Sequence, residues 1–143
     1  MTQIDFYTQA DDKLQAACRL TAKARQHGMR VTLFCPDQDT AARLDRMLWT
    51  VPATGFLPHC RPDDRLAAVT PVLIDPNGET LVHDEVLINL HSAWPAFFSR
   101  YRRLAEIVGA DDADRTQARD RYRFYRDRGY TIHTHNLSDR PTQ

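Results

Sequence analysis

The sequence predicts a single α/β domain, a mostly parallel sheet with helices on both faces. Three observations predict it. Short apolar, β-branched runs alternate with longer segments whose apolar residues recur every three to four positions. Glycine and proline signals at Gly28, Pro36-Asp37, Asp75-Pro76-Asn77-Gly78 and Gly129 punctuate those runs. The length of 143 residues, 42% of them hydrophobic, suits one proper core.

Taken in order, Ile4-Asp-Phe6-Tyr7 alternates and predicts a first strand. Lys13 to His27 predicts a helix with Leu14, Ala17, Cys18, Thr21 and Ala24 on one face and Gly28 as its stop. Arg30 to Cys35 predicts a second strand. Asp37 is then the N-cap of a helix that buries Ala41, Leu44 and Leu48 and runs to about Trp49. Val51 to Asp64 reads as a loop. Strands are predicted at Val72–Ile74 and Val86–Leu90, and a short helix from Pro95 to about Tyr101. Leu104–Val108 fits a strand or a helical continuation. A helix from about Asp112 to Arg128 and a strand at Tyr130–Thr134 follow, and the polar end from about Asn136 to Gln143 reads as a loose tail. The whole of 1–143 reads as one domain.

Composition excludes several classes of function. Net charge is zero and the pI is about 7.0, so the broad basic field of a nonspecific nucleic-acid binder is missing. No apolar run approaches the roughly 20 residues that cross a bilayer. The N-terminus lacks the basic and apolar regions of an export signal. Cys18, Cys35 and Cys60 show no CxxC spacing and no even-numbered framework, so reduced thiols in a cytoplasmic protein are expected.

Within this neutral chain the charge is locally polarised. Nine of the 19 basic residues fall between Arg100 and Arg128. At about 100° per residue, Arg115, Arg119, Tyr122 and Arg126 share one side of the predicted helix, with Arg123 on its flank. Ala118 and Tyr125 lie next to that stripe and can face the core. An aromatic floor walled by guanidinium groups suits an anion with something flat or apolar beside its charge, because arginine forks match carboxylates and phosphates. The competing interpretation is a solvated face laced with Asp120 and Asp127. Direct single-stranded nucleic-acid binding, with Tyr122 stacking on a base, is the other alternative.

Catalytic and cofactor signatures are weak. There is no GxGxxG and no GxxxxGK[ST], and the turn after the first strand, Thr8 to Asp12, is acidic where a phosphate would sit. Cys35 ends a strand, where α/β folds often place chemistry, but Asp37 disfavours a thiolate there. His133 and His135 face one side of a strand without further ligands at defined spacing. Asp84 and Glu85 point opposite ways in an extended segment. No metal and no cofactor is expected. Trp49 lies about 100° off the apolar face of its helix and is either a partly buried tryptophan or an interface anchor. Phe56, Leu57 and Pro58 on the following loop favour the anchor.

Trp49 with Phe56-Leu57-Pro58-His59, then Leu87-Ile88-Asn89-Leu90, then Arg119 through Tyr130, resembles the chi subunit of bacterial DNA polymerase III holoenzyme. Ile4-Asp-Phe6-Tyr7 and Arg43-Leu44-Asp45…Leu48-Trp49 are similar to that family too, so the resemblance covers nearly the full length. It implies a Rossmann-like fold and a non-catalytic clamp-loader accessory protein. It implies two partners: the psi subunit, and the acidic, Phe-ending C-terminal tail of single-stranded DNA-binding protein, with nucleic acid reached only indirectly. The family's tail-binding positions map onto Arg115, Arg119, Tyr122 and Arg123. Arg115 and Arg123 stand where lysine is expected. The psi-facing positions map onto Trp49, Phe56 and Pro58.

Overall fold

The structure, a computed structural model, describes residues 1–50 and 57–139. In chain order the elements are β1 (Gln3–Ala10), α1 (Lys13–Gln26), β2 (Val31–Phe34), α2 (Gln38–Thr50), β3 (His59–Cys60), β4 (Val72–Asp75), β5 (Val86–Asn89), β6 (Arg103–Gly109), α3 (Asp112–Asp127) and β7 (Ile132–Asn136). The strands form a single sheet in the order β3-β4-β2-β5-β6-β1-β7, and every pairing is parallel.

Strand alternation divides the core in two. Val31, Leu33, Ile74, Ile88 and Ile107 meet Ala17, Cys18, Leu44 and Leu48 of α1 and α2 on one face. Ile4, Phe6, Leu87, Leu104 and Val108 meet Ala118 and Tyr125 of α3, with Phe98 and Tyr101, on the other. Both faces of the sheet are covered, which is why β2, β4 and β5 are buried at every position. Each fully buried large apolar side chain contributes on the order of 1.5–3 kcal/mol.

Aspartates start the helices. The carboxylates of Asp12, Asp37 and Asp111 accept from the amides of Gln15, Thr40 and Asp114 at 3.1, 2.7 and 2.7 Å. Such caps are worth about 1 kcal/mol each. Gly129, at φ +85°, closes α3, its amide donating to Arg126 O at 2.9 Å while Tyr130 N donates to Tyr125 O at 3.2 Å. That left-handed position is open to glycine at no steric cost.

Four sequence expectations change. Pro95–Tyr101 is not an α-helix but a short 3-10 turn, Phe98–Arg100. Its bonds run i to i+3, from Phe98 N to Pro95 O and from Tyr101 N to Phe98 O. This spacing eclipses Phe98 and Tyr101 and lets both enter the same core before Tyr101 turns extended into β6. The last strand runs two residues later than expected, so Asn136 belongs to β7 and not to a tail. Leu137 opens a further 3-10 turn and packs against the α1 face of the core, since it is apolar and has a surface to cover. The expected loop from 51 to 64 contains the short strand β3.

The first strand also runs on past Tyr7 to Ala10, through an irregularity. Its register with β6 slips between Tyr7 and Ala10, and within that slip Gln9 adopts φ +59°. A left-handed conformation costs a non-glycine residue roughly 1–2 kcal/mol.

Candidate functional site

Helical periodicity sorts the residues of α3 by direction. Ala118, Arg121 and Tyr125 point into the fold. Arg115, Arg119 and Tyr122 turn toward the β7 edge of the sheet, where they form one wall of a groove of about 450 Å³. Phe6, Thr8 and Gln9 of β1, Val108 of β6 and Thr134 of β7 complete it. The Tyr122 ring meets Phe6 edge-on, with centroids 5.5 Å apart. The groove therefore has an apolar, aromatic floor and a cationic rim.

The guanidinium groups of α3 are not equivalent. Arg115 pairs with Asp112, Arg123 with Asp120 at 3.6 Å, and Arg126 with Asp127 at 3.2 Å. Arg128 lies over the Phe124 ring, 3.7 Å from its centroid. Arg119 has no ion pair or hydrogen bond among the described residues. It is the groove-lining cation with no protein partner among the described residues to give up on meeting an anion. The Arg115–Asp112 pair is solvent-exposed, and such pairs are worth about 0–1 kcal/mol, so Arg115 can exchange its partner at little cost. Arg123 and Arg126 lie outside the groove walls.

A buried polar network fixes the helix that carries the rim. The Glu106 carboxylate accepts from Arg121 Nε at 2.9 Å, Tyr125 OH at 2.6 Å and Asn89 Nδ2 at 3.0 Å. Arg121 Nη1 also donates to Ser92 O at 2.7 Å. Burial pushes the Glu106 carboxyl above its ordinary range while the Arg121 guanidinium pulls it back. Burial, then the Glu106 charge, push the Tyr125 phenol far upward. Because α3, β5 and β6 share this network, the groove wall is held to the sheet by bonds as well as by packing. Sequence reasoning missed Arg121. Its spacing was the available signal: three residues from Ala118 and four from Tyr125, it lies on their side of the helix.

The other candidate surface lies at the opposite edge of the sheet. Trp49, at the end of α2, is 57% exposed, its ring set against His59 of β3 with centroids 5.1 Å apart. His59 Nε2 stands 2.9 Å from Asp45 Oδ1, and Pro58 beside it is exposed. Phe56 lies outside the described residues. From β3 to β7 there are six strand spacings, or about 29 Å at roughly 4.8 Å each.

Residues 1–133 match the profile of the family described as DNA polymerase III chi subunit, HolC. The chain belongs to that family. It is 41% identical over 142 residues to the DNA polymerase III subunit chi of Pseudomonas aeruginosa, covering 96% of this chain and 98% of that one. The subunit chi of Haemophilus influenzae is 32% identical over 124 residues, 86% of each chain. That of Escherichia coli K12 is 31% identical over 121 residues, 84% of this chain and 82% of the other. The family match includes α3 and all of the groove except Thr134.

The remaining candidates in this chi-family chain have structural roles. Burial above all, with Asp75 next, pushes the Cys35 thiol up to about 12. Burial raises Cys18 to about 11. Both are far from a reactive thiolate. His135 stacks on Tyr7 at 4.7 Å and approaches Asp5 Oδ1 at 3.0 Å, and no group of three or more potential metal ligands occurs among the described residues. Glu85 is committed to Arg30, whose backbone N–H and side chain hold its carboxyl below the usual range. No helix among the described residues is long and apolar enough to cross a membrane. A further exposed aromatic went unpredicted: Trp94, its ring stacked 3.7 Å from that of Phe124, on the flank of α3 away from the groove.

Proposed function

We propose that this chain is a non-catalytic adaptor of the DNA polymerase III assembly. Its groove between α3 and β1 takes the acidic, Phe-ending C-terminal tail of single-stranded DNA-binding protein, and its opposite edge takes the psi subunit. One observation carries the first half: the unpaired Arg119 stands beside an apolar floor built from Phe6, Val108 and Tyr122. A peptide ending in phenylalanine presents an aromatic ring next to a terminal carboxylate, so the same ligand fills the floor and neutralises the rim. Arg115 adds a second cation within the groove, and Arg123 acts from outside it on acidic residues further along the peptide.

Trp49 and Pro58, with Phe56 between them in sequence, form the proposed psi-binding patch. The exposure of Trp49 supports it, since tryptophan is enriched at binding hot spots. The separation of about 29 Å between sheet edges lets both partners bind at once, which is what a linking protein needs. Calorimetric titration tests the reading. An acidic peptide ending in Phe should bind the full chain, and the same peptide without that Phe should not. Equal affinity for the two would overturn it.

A further inference from the structure

Gln9 stands where the sheet-side wall of the groove departs from regular backbone. Its φ of +59° falls inside the register slip between Tyr7 and Ala10. Glycine, asparagine and aspartate adopt that region readily, and glutamine does not. Its half-buried side chain lines the groove across from the α3 wall and has no hydrogen bond among the described residues. No side-chain hydrogen bond among the described residues offsets the unfavourable backbone.

The chemistry of the two walls supplies a reason. Guanidinium groups donate and never accept. Arg115 and Arg119 can hold carboxylates and carbonyls, but the N–H groups of a peptide need acceptors from the other side. Thr8 Oγ1 already donates to His135 O at 3.4 Å, so it can only accept from a ligand. The Gln9 carboxamide carries both an acceptor and donors, the complement of a peptide unit. We propose that Gln9 is a ligand-contacting residue whose carboxamide hydrogen-bonds the main chain of the acidic peptide opposite Arg119. The inference rests on the peptide-binding reading above.

Gln9 also borders a polar recess with Asp12 and Arg19, so the test must separate the groove from that recess. Gln9→Gly and Gln9→Glu are made in the full chain and titrated with the acidic, Phe-ending peptide. Gln9→Gly relieves the backbone and removes the side chain: its melting temperature should rise while affinity falls about three- to tenfold, the value of one neutral hydrogen bond. Gln9→Glu places a like charge against an acidic ligand. It should lose more at low salt and approach the glycine variant as salt rises. Undiminished affinity in Gln9→Gly would overturn the inference even with wild-type binding intact, as would equal losses of stability and affinity. If the wild-type chain itself does not bind the peptide, the peptide reading fails and this inference falls with it.

Discussion

Arg121 and Glu106 face each other at 2.9 Å with side chains 1% and 0% exposed, a fully buried ion pair beneath the helix that carries the groove. Removing one member strands the other charge in the core. Arg121→Met should cost about 3–5 kcal/mol, the usual penalty for breaking a buried pair. Urea unfolding measures it. A loss below about 1 kcal/mol, the scale of an exposed pair, would show that the site is wetter than its burial indicates.

Arg119→Ala should weaken tail-peptide binding about 10- to 150-fold, the equivalent of 1.5–3 kcal/mol for a charge-assisted hydrogen bond. Circular dichroism should not change. Arg123→Ala should cost far less, because that residue stands outside the groove and is already paired with Asp120. Titration calorimetry of the two variants side by side checks the ranking, and the reverse order would move the site around the helix.

His83 and His91 give the fold a pH dependence. Burial lowers both below the ordinary histidine range, with Arg30 adding to the effect at His83. Their folded pKa lies below the unfolded value near 6.5, so the unfolded chain takes up protons first. Stability is whole above about pH 6.5 and falls as pH drops through the interval down to the folded pKa values. His83→Asn should flatten that slope whatever its effect at pH 7.5, as measured by denaturant midpoints across pH 5–7.5.

Trp49→Ala should leave stability within about 1 kcal/mol, as an exposed side chain away from the core allows. It should leave peptide affinity unaltered and reduce capture of a psi-type subunit in co-purification. Unfolding of the variant would instead make Trp49 part of the core.

Salt separates a peptide ligand from a polynucleotide. Single-stranded DNA releases condensed counterions, about 0.7 per neutralised phosphate in the log–log slope. A short peptide is only screened, and its phenylalanine anchor is indifferent to salt. Peptide binding should persist at salt where an oligonucleotide shows none, by fluorescence anisotropy of both. Tighter binding of the oligonucleotide at physiological salt would favour the nucleic-acid alternative, to which the exposed Trp94 would then be relevant.

How much of this was legible in the sequence depended on whether a feature was local. The end of α3 was legible because Gly129 stops it, whereas its Asp111 cap emerged only in the structure. The clustering of Arg115, Arg119 and Tyr122 followed from helical spacing alone. The other half of the groove was not legible, because Phe6, Thr134 and Val108 come from three strands whose order brings them together only in the sheet. Arg121 was hidden by its type: an arginine among arginines suggests solvent, and its partner Glu106 sits 15 residues earlier on a strand. The left-handed turn at Gln9 had no glycine to announce it.

The central claim is the location of the ligand. Amide chemical-shift perturbation on isotope-labelled protein, titrated with the acidic Phe-ending peptide, tests it most directly. The account predicts shifts concentrated at residues 6–9, at Val108, along Arg115 to Tyr122 and at Thr134, with Trp49 and Pro58's neighbours unmoved. Shifts centred on the β3 edge, or spread along the outer face of α3 around Arg123 and Arg126 with the Phe6 floor silent, would contradict it.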